Sequence, residues 1–171
     1  TTLFRSFSLR FDRAALALLG SLKERNAHSI FGGFCAELGR RGIELLPAWQ
    51  FMESAMPPAG PIAGRAPTES ERDDIALGLR VAKTTSGIEI GQTVVLKQGT
   101  ILAVEAFEGT DEAILRGGRL GGPGTVVVKV AKRGHDMRFD IPVIGPRTLK
   151  SLRKAGSAVL AVEARRTIVL E

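Results

Sequence analysis

The sequence TVVLKQGTILAVEAFEGTD, at residues 93–111, carries the clearest β-hairpin pattern in the chain. Two β-rich runs, 93–96 and 100–107, flank the residues KQG at 97–99, which predicts a hairpin with a three-residue loop. The second run has apolar residues on both faces, so we expect it to be nearly buried on both sides of a sheet. The turn that follows predicts a short helix to about residue 116, capped by Thr110 or Asp111.

Before this hairpin the sequence predicts one long helix and a linker. Thr68 and Glu71 have the spacing of a capping box, and Gly87 ends the apolar pattern of the helix that they begin. The Pro- and Gly-rich residues 57–66 can sustain neither a helix nor an internal strand. The predicted domains are a partial N-terminal α/β domain at 1–56, a linker at 57–66 and a C-terminal domain at 67–171.

The partial N-terminal domain has the pattern of two helices and a strand. Asp12 is placed to cap a helix at 13–25, and Gly42 follows a second helix at 27–41. Residues 43–46 are strand-like. Three such elements cannot cover their own apolar faces, so we expect this region to be part of a larger domain.

After the hairpin the chain alternates between extended and helical patterns. The expected elements are a loose Gly-rich connection at 117–124, a strand at 125–130, a turn at 131–137, an extended run at 138–141, a helix opened by Gly145 and Pro146 that runs through 154, and a final hairpin of 157–164 and 167–170 that turns at 165–166. The predicted fold class is α/β of the mixed α+β type, with a mixed C-terminal sheet and flanking helices.

Composition excludes several classes of protein. The 171 residues are 44% hydrophobic, which excludes a disordered tail, and no apolar run approaches the ~18 residues that cross a bilayer. One cysteine, Cys35, and two histidines cannot form a disulfide or a zinc site, so any metal would be a hard cation on oxygen ligands. No secretory signal is visible, and a cytoplasmic location is expected.

The charges are unevenly distributed along the chain. Residues 100–115 contain four acids and no base, whereas residues 116–154 contain ten bases and two acids, although the whole chain carries only +6. Carboxylates that hold a divalent cation, next to bases that neutralise oxyanions, would suit a metal-bound phosphate. The alternative is that both runs are solvated faces of helices and strands.

Two sequence motifs supply the candidate site residues. The first, EAFEGTD at 105–111, places acids at a strand end, with Gly109 allowing a sharp turn and the following helix start offering N–H groups to an anion. In the second, Lys129 interrupts an apolar strand, and burial of its ammonium is costly without a carboxylate or phosphate partner. Asp140 lies between apolar residues, which indicates either a site or an edge strand. His135 is predicted to be a surface residue.

At these motifs the chain resembles the C-terminal half of the LpxI family of UDP-2,3-diacylglucosamine pyrophosphatases. The matching strings include LAVEAFEGTD at 102–111, VKVAK at 128–132, RFDIP at 138–142 and IGPRT at 144–148. The resemblance implies two domains joined by a tether, a homodimer, and Mg²⁺-dependent hydrolysis of UDP-2,3-diacylglucosamine to UMP and 2,3-diacylglucosamine 1-phosphate in lipid A biosynthesis. It also implies that most of the N-terminal domain is missing, with at most peripheral inner-membrane contact and no nucleic-acid partner.

The resemblance, together with the charges, assigns roles to nine residues. The expected catalytic carboxylates are Asp140, Asp111 and Glu108; the expected Mg²⁺ ligands are Asp140, Glu105, Glu108 and Asp111; the expected phosphate-binding residues are Lys129, Lys132, Arg138, Thr110 and Gly109. Which carboxylate binds metal and which acts as a base stays open.

Two other functions fit the same sequence. One is a non-catalytic basic module that binds nucleotides or RNA through residues 116–154. The chain has one Trp and no Tyr, which makes it a poor platform for stacking RNA bases. The other is an inactive, truncated remnant of the enzyme.

Overall fold

A computed structural model describes residues 12–22, 27–132, 136–138 and 140–170. The mixed α/β fold class is confirmed. The chain forms two compact units: the first comprises residues 1–50 and 136–140, and the second comprises 51–135 and 141–171. The predicted domain boundaries stay predictions, and His135 lies outside the described residues.

The first unit contains two helices. Helix α1 is Arg13–Ser21, and the Asp12 carboxylate accepts from the N–H of Ala15 at 2.8 Å as the predicted cap. The chain leaves α1 at Leu22 in an extended conformation, so the prediction of a helix to 25 was wrong. Helix α2 is Ala27–Arg40. Residues 43–46 pair with no strand among the described residues, so the predicted strand does not form there. Met137 lies in a turn as predicted, and Arg138 belongs to the same turn instead of starting the predicted extended run.

The first long helix of the second unit begins with the predicted capping box. Helix α3 is Glu69–Gly87, and Thr68 and Glu71 each accept from the other's backbone N–H, at 3.3 and 2.7 Å respectively. The Arg65 guanidinium, hydrogen-bonded to the Glu71 carboxylate, lowers the pKa of Glu71 to about 2. A short 3₁₀ turn at Glu53–Ala55 precedes the helix.

Strands β1, Thr93–Lys97, and β2, Thr100–Val104, form the hairpin with a two-residue loop. Both loop residues, Gln98 and Gly99, have positive φ (50° and 76°), as in the tight turns that match strand twist. The prediction of a three-residue loop was wrong because Lys97 pairs with Thr100 inside the ladder. The buried Asp74 carboxylate holds the turn by accepting from both loop N–H groups, at 2.8 and 2.6 Å.

Four strands form the main sheet in the order β2-β1-β3-β5. Strand β3 is Val126–Lys129, antiparallel to β1, and β5 is Val159–Val162, parallel to β3. Strand β2 lies at the edge and exposes its first two residues, so the prediction that this run is nearly buried on both sides was wrong. Strands β4, Val143–Ile144, and β6, Ile168–Val169, pair separately in parallel. The predicted final hairpin was wrong because β5 and β6 find partners in different sheets.

Helices cover both faces of the sheet. Helix α3 packs against β1 and β3 on one face, where Ala82, Leu96 and Val128 are buried. Helices α4, Thr110–Gly121, and α5, Pro146–Ala155, cover the other face around Val95 and Ile114. Helix α4 ends at Gly122 and α5 at Gly156, both with positive φ, and Gly156 ends α5 as predicted. No helix in the described ranges is long and apolar enough to cross a membrane.

Helix α4 is longer than predicted and has a different cap. The expected end at about 116 and the loose connection at 117–124 were wrong because Gly117 and Gly118 lie inside the helix. A Cβ at Gly117 would lie 2.5 Å from a Val95 methyl, and one at Gly118 would lie 2.6 Å from the Ala155 Cβ. The glycines therefore permit close packing. The N-cap is Gly109, not Thr110 or Asp111.

Candidate functional site

Three neighbouring strands bring the candidate residues to one end of the main sheet. Thr93 pairs with Lys129 across β1 and β3. On the other side of β1, the N–H of Glu105 donates to the carbonyl of Thr93 at 2.8 Å. Helix α4 begins five residues after Glu105, at Thr110. The antiparallel register thus places residues from distant parts of the sequence side by side.

The hydroxyl of Thr110 connects the buried lysine with the buried glutamate. Lys129 Nζ donates to Thr110 Oγ1 at 3.1 Å, and Thr110 Oγ1 donates to Glu105 Oε1 at 3.0 Å. The Thr93 hydroxyl lies 3.4 Å from the same Thr110 oxygen. An ammonium only donates and a carboxylate only accepts, so the single Thr110 proton goes to Glu105 and Thr93 donates to Thr110.

Lys129 is held as a buried cation. Its residue is only 6% exposed, and Nζ also donates to the carbonyl of Val143 at 3.3 Å. Burial lowers the pKa of Lys129, and the nearby charges of Glu105 and Asp111 partly oppose that shift. Removing an ammonium from water is favourable only when partners replace its hydration. The sequence analysis expected a carboxylate or a phosphate to meet this ammonium; in the structure its hydrogen-bond partners are a hydroxyl and a carbonyl, with the two carboxylates nearby.

Glu105 has one oxygen without a partner. The residue is 8% exposed, and Oε2 is buried with no hydrogen-bond partner among the described residues. A buried carboxylate oxygen without a donor or cation costs free energy. This atom is therefore the natural place in the cluster for a cation or a donor from a bound molecule.

The other two predicted acids are each bound by an arginine. Asp111 Oδ2 lies 2.7 Å from Arg147 Nε, and its Oδ1 accepts from the Ser151 hydroxyl at 3.2 Å. Glu108 Oε1 lies 2.5 Å from Arg116 Nη2. The hydrogen bond from Arg116 is the main cause that lowers the pKa of Glu108. In the structure each of these two carboxylates is therefore already bound by protein groups.

The turn before α4 is shaped by glycines. Gly109 has φ of 86° and, as the N-cap, has no side chain that could accept from the first N–H groups of the helix. These groups carry the positive end of the helix dipole. Gly91 allows the backbone next to Glu105 to approach closely, since a Cβ there would lie 2.0 Å from the Glu105 carbonyl oxygen. The turn thus offers backbone donors beside Lys129.

The remaining predicted residues make other contacts, each within its own unit. Lys132 forms an ion pair with Glu89 in the second unit. Arg138 pairs with Asp136 at 2.6 Å, and the N–H of Asp140 donates to the carbonyl of Asp136 at 3.1 Å, both within the first unit. The roles of Asp140 and Arg138 therefore stay predictions. Within the described ranges, no group of three His, Cys, Asp or Glu residues could hold a metal ion.

Three residues of the cluster were missed by the sequence analysis. Thr93 is positioned by strand register, which a single sequence does not reveal. Arg147 lies in the string IGPRT, so the family resemblance contained a signal for it. Ser151 follows it by one turn of α5 and points to the same carboxylate. Helical spacing after Arg147 was the only available signal for Ser151.

Comparison with known proteins matches the same part of the chain. A family model described as the LpxI C-terminal domain matches residues 58–171. The chain is also 32% identical, over 143 residues, to the UDP-2,3-diacylglucosamine pyrophosphatase LpxI of Caulobacter vibrioides. That match covers 79% of this chain and 51% of the relative, so the chain spans about half the length of the protein it matches.

Proposed function

The chain belongs to the LpxI family through its C-terminal domain, and from this premise we propose that it serves the hydrolysis of UDP-2,3-diacylglucosamine. The reaction cleaves the pyrophosphate bond with water and yields UMP and 2,3-diacylglucosamine 1-phosphate, a step of lipid A biosynthesis. The observation that carries the proposal is the buried Lys129, joined through Thr110 to a carboxylate with one unpartnered oxygen. We also keep the homodimer as a prediction.

The pyrophosphate would bind at the start of α4. Lys129 Nζ uses two of its three N–H groups on Thr110 and Val143, which leaves one for a phosphate oxygen. The uncapped N–H groups after Gly109 can donate to the same anion. An anion here would also compensate the cost of the buried ammonium, which favours binding of a charged group over water.

Mg²⁺ is the proposed cofactor, and the described carboxylates fit it in part. Proteins usually hold Mg²⁺ through one or two carboxylates together with substrate phosphates and water, so a cluster of three acids is not required. Glu105 Oε2 would be one ligand. The role of Asp140 as a ligand rests on the family resemblance alone. Glu108 and Asp111 would each have to release an arginine first. When bound, Mg²⁺ would neutralise charge on the pyrophosphate oxygens.

The residues of the chain would act mainly by charge and position. Lys129 and the α4 N–H groups stabilise negative charge as it moves onto the leaving phosphate. The Thr110 hydroxyl fixes the direction of the Lys129 ammonium, because it accepts from Nζ while its own proton is held by Glu105. The Thr93 hydroxyl donates a further hydrogen bond to the Thr110 oxygen. The donors are therefore oriented before the substrate arrives.

The test is Mg²⁺-dependent release of UMP from UDP-2,3-diacylglucosamine. It is measured on this chain and on a fusion that supplies the N-terminal half of the Caulobacter relative, each with Mg²⁺ and with EDTA. Lys129→Met should lower kcat by about 100- to 1,000-fold, the usual effect of losing one donor to developing charge. Lys97→Met is the matched control, because Lys97 lies at the other end of β1 and donates to the carbonyls of Gly121 and Pro123.

Each outcome decides between the functions considered. The proposal is supported if EDTA stops UMP release and if the rate falls in Lys129→Met but not in Lys97→Met. Release by the fusion alone assigns the activity to a chain with both domains. Absence of UMP release from both proteins, or equal rates for folded Lys129→Met and wild type, rejects it. Circular dichroism of both variants establishes that they are folded.

A further inference from the structure

Helix α5 has one buried stripe and an opposite face made of bases. Thr148, Leu152 and Ala155 are buried against the rest of the second unit. The exposed bases repeat at spacings of three and four residues, which places them together on the outer side of the helix. The basic face of α5 consists of Arg147, Lys150, Arg153 and Lys154.

Apart from Arg147, the bases of this face have no charged or hydrogen-bonding partner in the part of the chain that the structure describes. No described group forms an ion pair or hydrogen bond with the side chain of Lys150, Arg153 or Lys154, and α5 contains no acid. The exposed residues of α3, by comparison, include both acids and bases. The helix dipole explains bases in the last turn, but it gives no reason for Lys150 in the middle of the helix.

An apolar side chain and a further base extend the same surface. Leu149 is 46% exposed and lies one helical turn before Arg153. Arg119 is exposed and follows Gly118, the α4 residue at which an added Cβ would lie 2.6 Å from the Ala155 Cβ. Leu149 lies at the margin of the basic face, beside Arg153, and bases next to an exposed apolar side chain are typical of helices that lie on anionic membranes. A surface for nucleic acid would gain nothing from the leucine.

We propose that the basic face of α5 docks the protein on the surface of a lipid bilayer that carries anionic headgroups. The purpose of this docking rests on the proposed function, because a substrate with two acyl chains resides in a membrane. Binding to the bilayer itself does not require hydrolysis. Arg147 joins this face to the candidate site through its contact with Asp111. Docking through α5 would therefore hold the start of α4 close to the lipid headgroups.

The experiment is co-sedimentation of the protein with vesicles. Vesicles of phosphatidylcholine alone are compared with vesicles of equal parts phosphatidylcholine and phosphatidylglycerol, at low and high salt. The test variant is the triple change Lys150→Gln, Arg153→Gln and Lys154→Gln, which leaves the candidate site intact. The control changes three exposed bases on other helices, Arg13→Gln, Arg72→Gln and Arg80→Gln, so both variants lose the same charge.

The wild type and the control variant should bind the anionic vesicles, and the test variant should bind about a hundredfold more weakly, given the usual attraction of each base to an anionic surface. High salt should weaken binding of the wild type. Equal loss in both variants, no binding of the wild type, or equal binding to neutral vesicles would overturn the proposal. Tighter binding to a single-stranded RNA oligomer than to the vesicles would overturn it in favour of a nucleic acid. None of these readouts requires UMP release.

Discussion

Lys129 and Glu105, on opposite sides of β1, do not form a direct ion pair among the contacts of the structure; the hydroxyl of Thr110 lies between them, 3.1 Å from Nζ and 3.0 Å from Oε1. A hydroxyl in this position satisfies one donor of the lysine and one acceptor of the glutamate. It also leaves a lysine N–H and a glutamate oxygen available to a ligand. The separation of the two charges is therefore what makes the cluster suitable for binding.

Thr110→Val should destabilise the protein and reduce turnover. The valine leaves one N–H of Lys129 and Oε1 of Glu105 without their hydrogen-bond partner, at a cost of about 1–3 kcal/mol for each buried polar group. Thr110→Ser, which keeps the hydroxyl, should restore most of the stability and the rate. Urea unfolding and UMP release measure the two effects. A valine variant as stable as the serine variant would show that the hydroxyl does not bridge these charges.

Asp140→Asn should lower kcat for UMP release by about 100-fold or more, because it removes a proposed catalytic carboxylate at constant size. The matched control is Asp73→Asn, since Asp73 is an exposed acid of α3 in the second unit. The rate is measured in whichever protein releases UMP in the assay described above, either this chain or the fusion with the N-terminal half of the relative. An Asp140→Asn variant with the wild-type rate would remove Asp140 from the site.

The stability of the wild type relative to Lys129→Met should rise with pH. Burial lowers the pKa of Lys129 in the folded protein below that of a lysine in the unfolded chain. Between these two pKa values the unfolded chain binds more protons than the folded protein, so raising the pH through this interval favours folding. Urea unfolding of both proteins, from neutral pH to about pH 10, gives the difference. A difference that stays constant would contradict burial as the dominant effect.

Gly118→Ala should destabilise the second unit. The new Cβ would lie 2.6 Å from the Ala155 Cβ and 2.7 Å from the Ala155 carbonyl oxygen, so the two helices would have to separate. Overpacking of this kind costs about 1–3 kcal/mol. Gly87→Ala is the control, because nothing lies within 4 Å of a Cβ at that position of α3. Thermal unfolding compares them, and equal midpoints would exclude tight α4·α5 packing.

Much of the fold could be predicted from local sequence, and the failures have physical causes. The capping box at Thr68 and the hairpin near Gly99 depend on residues close in sequence. Gly117 and Gly118 favour a loop by intrinsic propensity, but close packing against Val95 and Ala155 overrides it. The last two strands were predicted to pair with each other because they are neighbours in the chain.

The candidate site was predicted less completely than the fold. Glu105, Thr110 and Lys129 carry local signals: an acid at a strand end, a turn before a helix, and a lysine within an apolar strand. Their meeting depends on the register of three strands, and the same register brings in Thr93. A single sequence does not specify register between strands that lie more than thirty residues apart.

Gly91 has a consequence for how loss-of-function screens of this protein are interpreted. Any other residue at position 91 would place its Cβ 2.0 Å from the Glu105 carbonyl oxygen, which is too close for two non-bonded atoms. Replacement by alanine would shift the strand end that carries Glu105, although residue 91 has no side chain to offer a substrate. A screen would therefore mark position 91 as intolerant of mutation, and that intolerance would report on backbone geometry rather than on chemical participation.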